Sequence, residues 1–218
     1  MIFKIIWRTT KMIRFDQPAY PTVFFSDLIY VVCPKCQQVA KVETHFENES
    51  KSASSAKQSV LSCKHCGLVS TAGQKWFGDY QAFVNIPCGN CGSSMVFSSE
   101  PVKQISPNIC LTCTTCKQER AYEPQWFRYK KDHAKDPYFG LDIYLQIAVK
   151  NHTLWLYNVK HLQYLRDYVS ATLREDDNRH KYSMITNLPQ WVKSAKNRDL
   201  ILKKLHSLEQ TYYKISLK

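Results

Sequence analysis

Every one of the nine cysteines in this chain belongs to a C-x-x-C pair, and that regularity restricts the fold more than any other feature. The pairs are Cys33-Pro34-Lys35-Cys36, Cys63-Lys64-His65-Cys66, Cys88-Gly89-Asn90-Cys91 and the overlapping run Cys110-Leu111-Thr112-Cys113-Thr114-Thr115-Cys116. A C-x-x-C turn lets two thiolates face one ion while backbone N–H groups support the sulfurs. Two such turns complete a closed tetrahedral zinc site. Between Cys36 and Cys63 lie 26 residues, and between Cys91 and Cys113 lie 21. Both gaps suit a ribbon in which each pair tips a β-hairpin. The expected cofactors are two Zn2+ ions, one held by Cys33, Cys36, Cys63 and Cys66, the other by Cys88, Cys91, Cys113 and Cys116. Four thiolates leave no position for a substrate, so each metal is structural. An iron–sulfur centre is the other chemistry that an all-thiolate set admits.

The second set has one cysteine too many. Ser59-Val60-Leu61-Ser62-Cys63-Lys64-His65-Cys66 aligns with Ile109-Cys110-Leu111-Thr112-Cys113-Thr114-Thr115-Cys116, matching Leu61 to Leu111 and Ser62 to Thr112. Cys110 then falls where the first unit has Val60, inside a strand, and reads as a buried thiol. The rival reading pairs Cys110 with Cys113. The repeat extends further. Trp76-Phe77-Gly78-Asp79-Tyr80 follows the first ribbon, and Trp126-Phe127 with Asp136-Pro137-Tyr138-Phe139-Gly140 follows the second. A third hairpin is expected from Leu141-Asp142-Ile143-Tyr144-Leu145-Gln146, turning at Val149-Lys150-Asn151-His152 and returning through Thr153-Leu154-Trp155-Leu156-Tyr157. It carries no cysteine, and aromatic packing takes the place of metal.

These signals predict an α+β chain of tandem zinc-ribbon hairpins, a metal-free hairpin and a C-terminal helical region. The expected boundaries are 1–29 for an N-terminal extension, 30–80 and 81–127 for the two ribbons, and 128–218 for the hairpin and helices. Residues 47–59 read as a polar loop and 128–137 as a linker. Asn158 is placed to cap a helix from Val159 to about Glu175, with Leu162, Leu165, Val169 and Leu173 as its apolar stripe. A short helix is expected over Ser183 to Leu188. Pro189 opens the next helix, burying Trp191, Val192 and Ala195. A last helix runs from Arg198 to Ile215 with Ile201, Leu205, Leu208 and Tyr212 inward.

At 44% hydrophobic and 22% charged residues the 218-residue chain has a globular composition. No segment reaches the roughly 18 apolar residues of a membrane span. A soluble protein of the reducing cytoplasm is expected, with no membrane partner. The net charge of +12 is uneven: residues 31–120 carry +3, whereas residues 181–218 carry +6. Lys193, Lys196, Arg198, Lys203 and Lys204 are the expected partner-binding residues, on the outer faces of the last two helices. Two partner classes compete. A basic face approaches phosphates of DNA or RNA, or it docks an acidic protein, with complementary charge speeding the encounter.

A catalytic reading finds little to stand on. The chain has no Walker motif, G-x-G-x-x-G, G-x-S-x-G or H-E-x-x-H. The run Glu175-Asp176-Asp177 reads as a solvated helix end. His65 reads as a solvent-facing turn residue, and His133, His152, His161, His180 and His206 as surface or packing histidines. Trp76, Trp126, Trp155 and Trp191 read as core. The chain is therefore expected not to be an enzyme.

The paired knuckles Cys33–Cys66 and Cys88–Cys116 resemble zinc-ribbon proteins, including the ribbon of transcription factor IIB, over residues 30–120. The runs Leu141–Gln146, Leu154–Asn158 and Leu188–Asp199 look like a group of uncharacterised bacterial proteins named for their zinc ribbon. Suspected immunity partners of polymorphic toxins are of that accessory kind. The resemblance implies a binding protein that docks an acidic protein, a toxin being one form, and inhibits or neutralises it.

Overall fold

The structure is a computed structural model that describes residues 13–46, 56–130, 134–173 and 182–216. Four hairpins carry the cysteine turns. The first pair joins β1 (Leu28–Val32) to β2 (Val39–Phe46), and the second joins β3 (Ala56–Ser62) to β4 (Val69–Thr71). The third lies between β5 (Tyr80–Pro87) and β6 (Ser94–Ser98), and the fourth between β7 (Ile109–Thr112) and β8 (Glu119–Tyr122). The first two hairpins form one sheet in the order β1-β2-β3-β4. The other two do not share a sheet. β5 lies between β6 and β9 (Gln125–Arg128), whereas β7 and β8 form a sheet of two. Residues 56–59, expected in a loop, belong to β3; the rest of that loop lies outside the described residues.

Two compact units emerge from the chain. One comprises Val31–Val42 and Gln58–Tyr144 and holds all nine cysteines. Its strands alternate: Val84, Met95, Leu111 and Tyr122 turn inward, with Phe97 and Ile109 packed against them. Trp76 is buried, donates from Nε1 to the Asp79 carbonyl at 3.0 Å, and lies under the Arg128 guanidinium. The segment expected as a linker ends in an anchor instead. Asp136 is 1% exposed, and its carboxylate accepts from the N–H groups of Tyr138, Phe139 and Leu141 at 3.0, 2.8 and 2.6 Å. Gly140 closes this loop at φ +73, where a Cβ would strike the Trp76 ring and the Gly78 backbone.

The other unit comprises the described parts of Met1–Tyr30, Glu43–Lys57 and Leu145–Lys218. Here the metal-free hairpin forms as β10 (Gln146–Val149) and β11 (His152–Trp155), with Val149 opposite His152. Helix α1 (Val159–Ser170) starts as expected: the Asn158 side chain accepts from the His161 N–H at 3.0 Å. The same side chain donates to the carbonyls of Phe25 and Leu28, both at 2.7 Å. The helix stops at Ser170, short of Glu175. Ala171 turns extended, and Thr172 and Leu173 instead bond the Ile13 carbonyl. Residues Ser183 to Leu188 form a turn capped by the Ser183 hydroxyl, not a helix. Helix α2 is a single turn, Gln190–Lys193; it buries Val192, while Trp191 is half-buried and Ala195 is exposed. Helix α3 (Arg198–Ser216) buries Ile201, Leu205 and Leu208 and packs on α1. Tyr212 reaches Tyr30 edge-on at 5.7 Å.

His161 resolves into a packing residue. Its ring stacks on Phe25 at 4.9 Å, meets Trp155 edge-on, and accepts the Tyr157 N–H at Nδ1. Complete burial lowers its pKa to about 3. Among the described residues, no helix is long and apolar enough to cross a membrane.

Candidate metal centres

The four cysteine turns are four copies of one knuckle. In each, the first cysteine donates its N–H to the carbonyl five residues on and accepts, at its own carbonyl, from the N–H four residues on. The first bond runs from Cys33 to Gln38, Cys63 to Leu68, Cys88 to Ser93 and Cys113 to Gln118, at 2.7–2.9 Å. The second runs from Gln37, Gly67, Gly92 and Lys117 at 2.9–3.0 Å. The donor of that second bond has positive φ in every copy: 60° at Gln37, 70° at Gly67, 72° at Gly92 and 59° at Lys117. This left-handed residue bends the chain back so that both sulfurs point to one side, with backbone N–H groups behind them.

The sulfurs converge in two sets of four, Cys33, Cys36, Cys63, Cys66 and Cys88, Cys91, Cys113, Cys116, each set within 4.8 Å. Across the first set, Cys33 to Cys66 and Cys36 to Cys63 are both 3.6 Å. Across the second, Cys88 to Cys116 and Cys91 to Cys113 are both 3.8 Å. A tetrahedral ion with Zn–S bonds of about 2.3 Å requires sulfurs about 3.8 Å apart, and a disulfide requires about 2.05 Å. The geometry fits a closed metal site, and the two tetrads fit two Zn2+ ions.

The electrostatics agree. For Cys36, the Gln38 N–H favours the thiolate, but burial and the sulfurs of Cys33, Cys66 and Cys63 outweigh it and push the thiol up to about 12. Burial opposes ionisation of Cys63, yet the N–H groups of Cys66 and His65 bring it down to about 7. The Ser93 hydroxyl, with the N–H groups of Cys116 and Thr115, pulls Cys113 down to about 5. Four sulfurs this close cannot all ionise without a cation among them, and a divalent ion supplies that charge.

Cys110 is not part of either tetrad, so the choice of Cys113 and Cys116 holds. The expectation that it is buried does not: Cys110 is exposed. In β7 the pattern alternates, with Leu111 inside and Cys110 and Thr112 outside. Val60 stood as its counterpart in the first ribbon and also lies on the face opposite buried Leu61.

The five basic residues expected at a partner surface separate. Lys193 donates to the Thr186 carbonyl at 2.8 Å, and Arg198 donates to the Ala171 carbonyl at 3.0 Å, at the end of α1. Both are half-buried. Lys196 and Lys203 are exposed and Lys204 is half-buried. His65 and His206 are exposed, and His152 stacks flat on Trp191 at 4.8 Å. His133, His180 and Glu175-Asp176-Asp177 lie outside the described residues.

Three residues near the second tetrad escaped the sequence reading. Ser93 Oγ sits 3.1 Å from Cys91 Sγ and 3.3 Å from Cys113 Sγ. Tyr122 brings a buried hydroxyl into the Cys88 cluster. Arg120 lies against Gly89, inside the Cys88 knuckle, where a Cβ would collide with its guanidinium. Only Ser93 left a trace in the sequence, as a small hydroxyl residue two positions after a ligand.

The two cysteine tetrads are positioned to bind metal and are consistent with zinc-ribbon-like motifs. No family model, curated protein or solved structure matches the chain.

Proposed function

We propose that this chain is a non-catalytic double zinc-ribbon protein that docks on an acidic protein and inhibits it. Cysteine fills all four positions of each tetrad, so the metal is suited to shaping a surface and not to holding a substrate. The observation that carries the reading is an uncharged, apolar face on the sheet β6-β5-β9. Phe127 lies opposite Gln81 and Val96 opposite Asn85, and Phe127 and Val96 are 54% and 67% exposed. On the other face of the same strands, Ala82, Val84 and Met95 are buried. An exposed aromatic and an exposed β-branched residue, each opposite an amide side chain, suit a protein contact. A phosphate-binding face would be lined with cations, and this one is not. In the other unit, by itself, exposed Lys196 and Lys203 carry positive charge that would speed the encounter with an acidic protein.

The test is an affinity pull-down with the zinc-loaded chain from cells of its own source, with and without nuclease, repeated with Val96→Ser/Phe127→Ser and with Lys196→Glu/Lys203→Glu. The expected result is an acidic protein captured at fixed stoichiometry despite nuclease. The apolar double variant loses it, and the charge-reversed variant binds it more slowly. Capture of nucleic acid alone, abolished by nuclease or moderate salt, would replace this reading with a nucleic-acid-binding one.

A further inference from the structure

The two hairpins of the second ribbon share no sheet, yet their knuckles must meet to a few tenths of an ångström. Side chains cross between them in both directions. From the β5–β6 hairpin, Ser93 places its hydroxyl between Cys91 and Cys113, at 3.1 and 3.3 Å. From the β7–β8 hairpin, β8 sends Tyr122 and Arg120 the other way. Arg120 lies on Gly89. Tyr122 is 7% exposed and packs in one cluster with Cys88, and among the described residues its buried hydroxyl has no hydrogen-bond partner. A buried phenol without a partner is costly, and the Cys88 sulfur in the same cluster can accept its proton.

The charge at the site explains why such donors belong there. Four thiolates around a divalent ion leave two net negative charges. Cys91 is exposed, whereas no cysteine of the first tetrad is. The described hydrogen bonds at the first tetrad include no side-chain hydroxyl on a sulfur.

We propose that Ser93 and Tyr122 are positioning residues of the second metal centre, donating their hydroxyls to the sulfurs of Cys91 or Cys113 and of Cys88. They take the place of a strand ladder between the hairpins and set how tightly this centre holds its metal. Outer groups that hydrogen-bond metal ligands are commonly worth about 10–100-fold in metal affinity. The first centre, in the same chain, is the internal control.

The experiment uses the full chain loaded with Zn2+ or Co2+, as wild type, Ser93→Ala, Tyr122→Phe, the double variant and Ser93→Thr. After a chelator challenge, free thiols are alkylated and mapped by peptide mass, which reports the two tetrads separately. Each single variant should release metal from Cys88, Cys91, Cys113 and Cys116 about tenfold more readily, with the first tetrad unchanged. Ser93→Thr should restore wild-type behaviour. The sulfur-to-cobalt charge-transfer band of the second centre should move to lower energy when a donor is lost, which a purely packing role would not produce. Tyr122→Phe keeps the ring, so it reads the hydroxyl even where the double variant folds poorly. Wild-type release and an unmoved band in both single variants would overturn the proposal.

Discussion

The two ribbons use the same four-cysteine chemistry on different foundations. In the first, both knuckles tip hairpins of one sheet, where β2 and β3 are hydrogen-bonded neighbours that join the two hairpins. In the second, the knuckles tip hairpins of separate sheets, and the tetrad is supported by a small apolar cluster and the side chains around it. A backbone ladder can hold a ribbon's shape before metal arrives. Where the ladder is missing, bringing the sulfurs together depends on the ion. Small metal-bound units draw much of their folding free energy from the metal, with apparent values of about 10–16 kcal/mol for structural zinc at neutral pH. The second ribbon is the one that should depend on it more.

The largest expected effect follows directly. Cys113→Ser should cost the second metal and the order of β7 and β8 together. Cys63→Ser should cost the first metal while β2 and β3 keep much of their protection. Zinc counting with hydrogen exchange resolved by strand would check this. Equal loss of protection in both ribbons would erase the contrast drawn from the sheets.

The metal-free hairpin sharpens the comparison from the other side, because its unit holds none of the cysteines. Leu205→Ala removes a fully buried side chain of α3 and should cost about 2–5 kcal/mol, with both zinc ions retained. Asn158→Ala should cost about 2 kcal/mol, since it removes a helix cap and leaves the carbonyls of Phe25 and Leu28 without its amide. Thermal unfolding followed at the helix signal, beside metal analysis, would test both. Zinc loss on either substitution would show that the metal centres lean on this core.

What could be read from the sequence was what repeats locally. The knuckles, the α3 stripe and the Asn158 cap depend on neighbours within a few residues, and all three are present. Positions set by distant partners were not legible. Helix α1 ends early because Thr172 and Leu173 bond Ile13. Lys193 and Arg198 point inward because two carbonyls, at Thr186 and Ala171, need donors. Asp136 looked like linker because nothing local shows that three N–H groups will converge on it. Cys110 was misplaced for a related reason. Its strand was recognised, but the face that packs depends on a cluster assembled from the other hairpin.

The smallest effect isolates the backbone from everything else. Each ribbon puts one glycine and one side-chain residue in the left-handed knuckle position: Gln37 with Gly67, and Lys117 with Gly92. An L-residue is strained there by about 1–2 kcal/mol, and glycine offsets part of this through its freer unfolded chain. Gln37→Gly and Lys117→Gly should therefore stabilise their ribbons by up to about 1 kcal/mol. Gly67→Ala and Gly92→Ala should destabilise by a similar amount. A Cβ at either glycine meets nothing within 4 Å, so those two read backbone strain without a clash. The contrast between the ribbons predicts where each change appears. If the missing ladder makes folding and metal binding one event in the second ribbon, Lys117→Gly should tighten zinc and Gly92→Ala should loosen it, about fivefold each way. In the first, where the ladder already holds the hairpins, the same changes should move the unfolding midpoint and leave zinc affinity nearly constant. Chelator competition at both tetrads would measure the difference, and equal shifts in affinity at the two would mean that the shared sheet does not preorganise the first site.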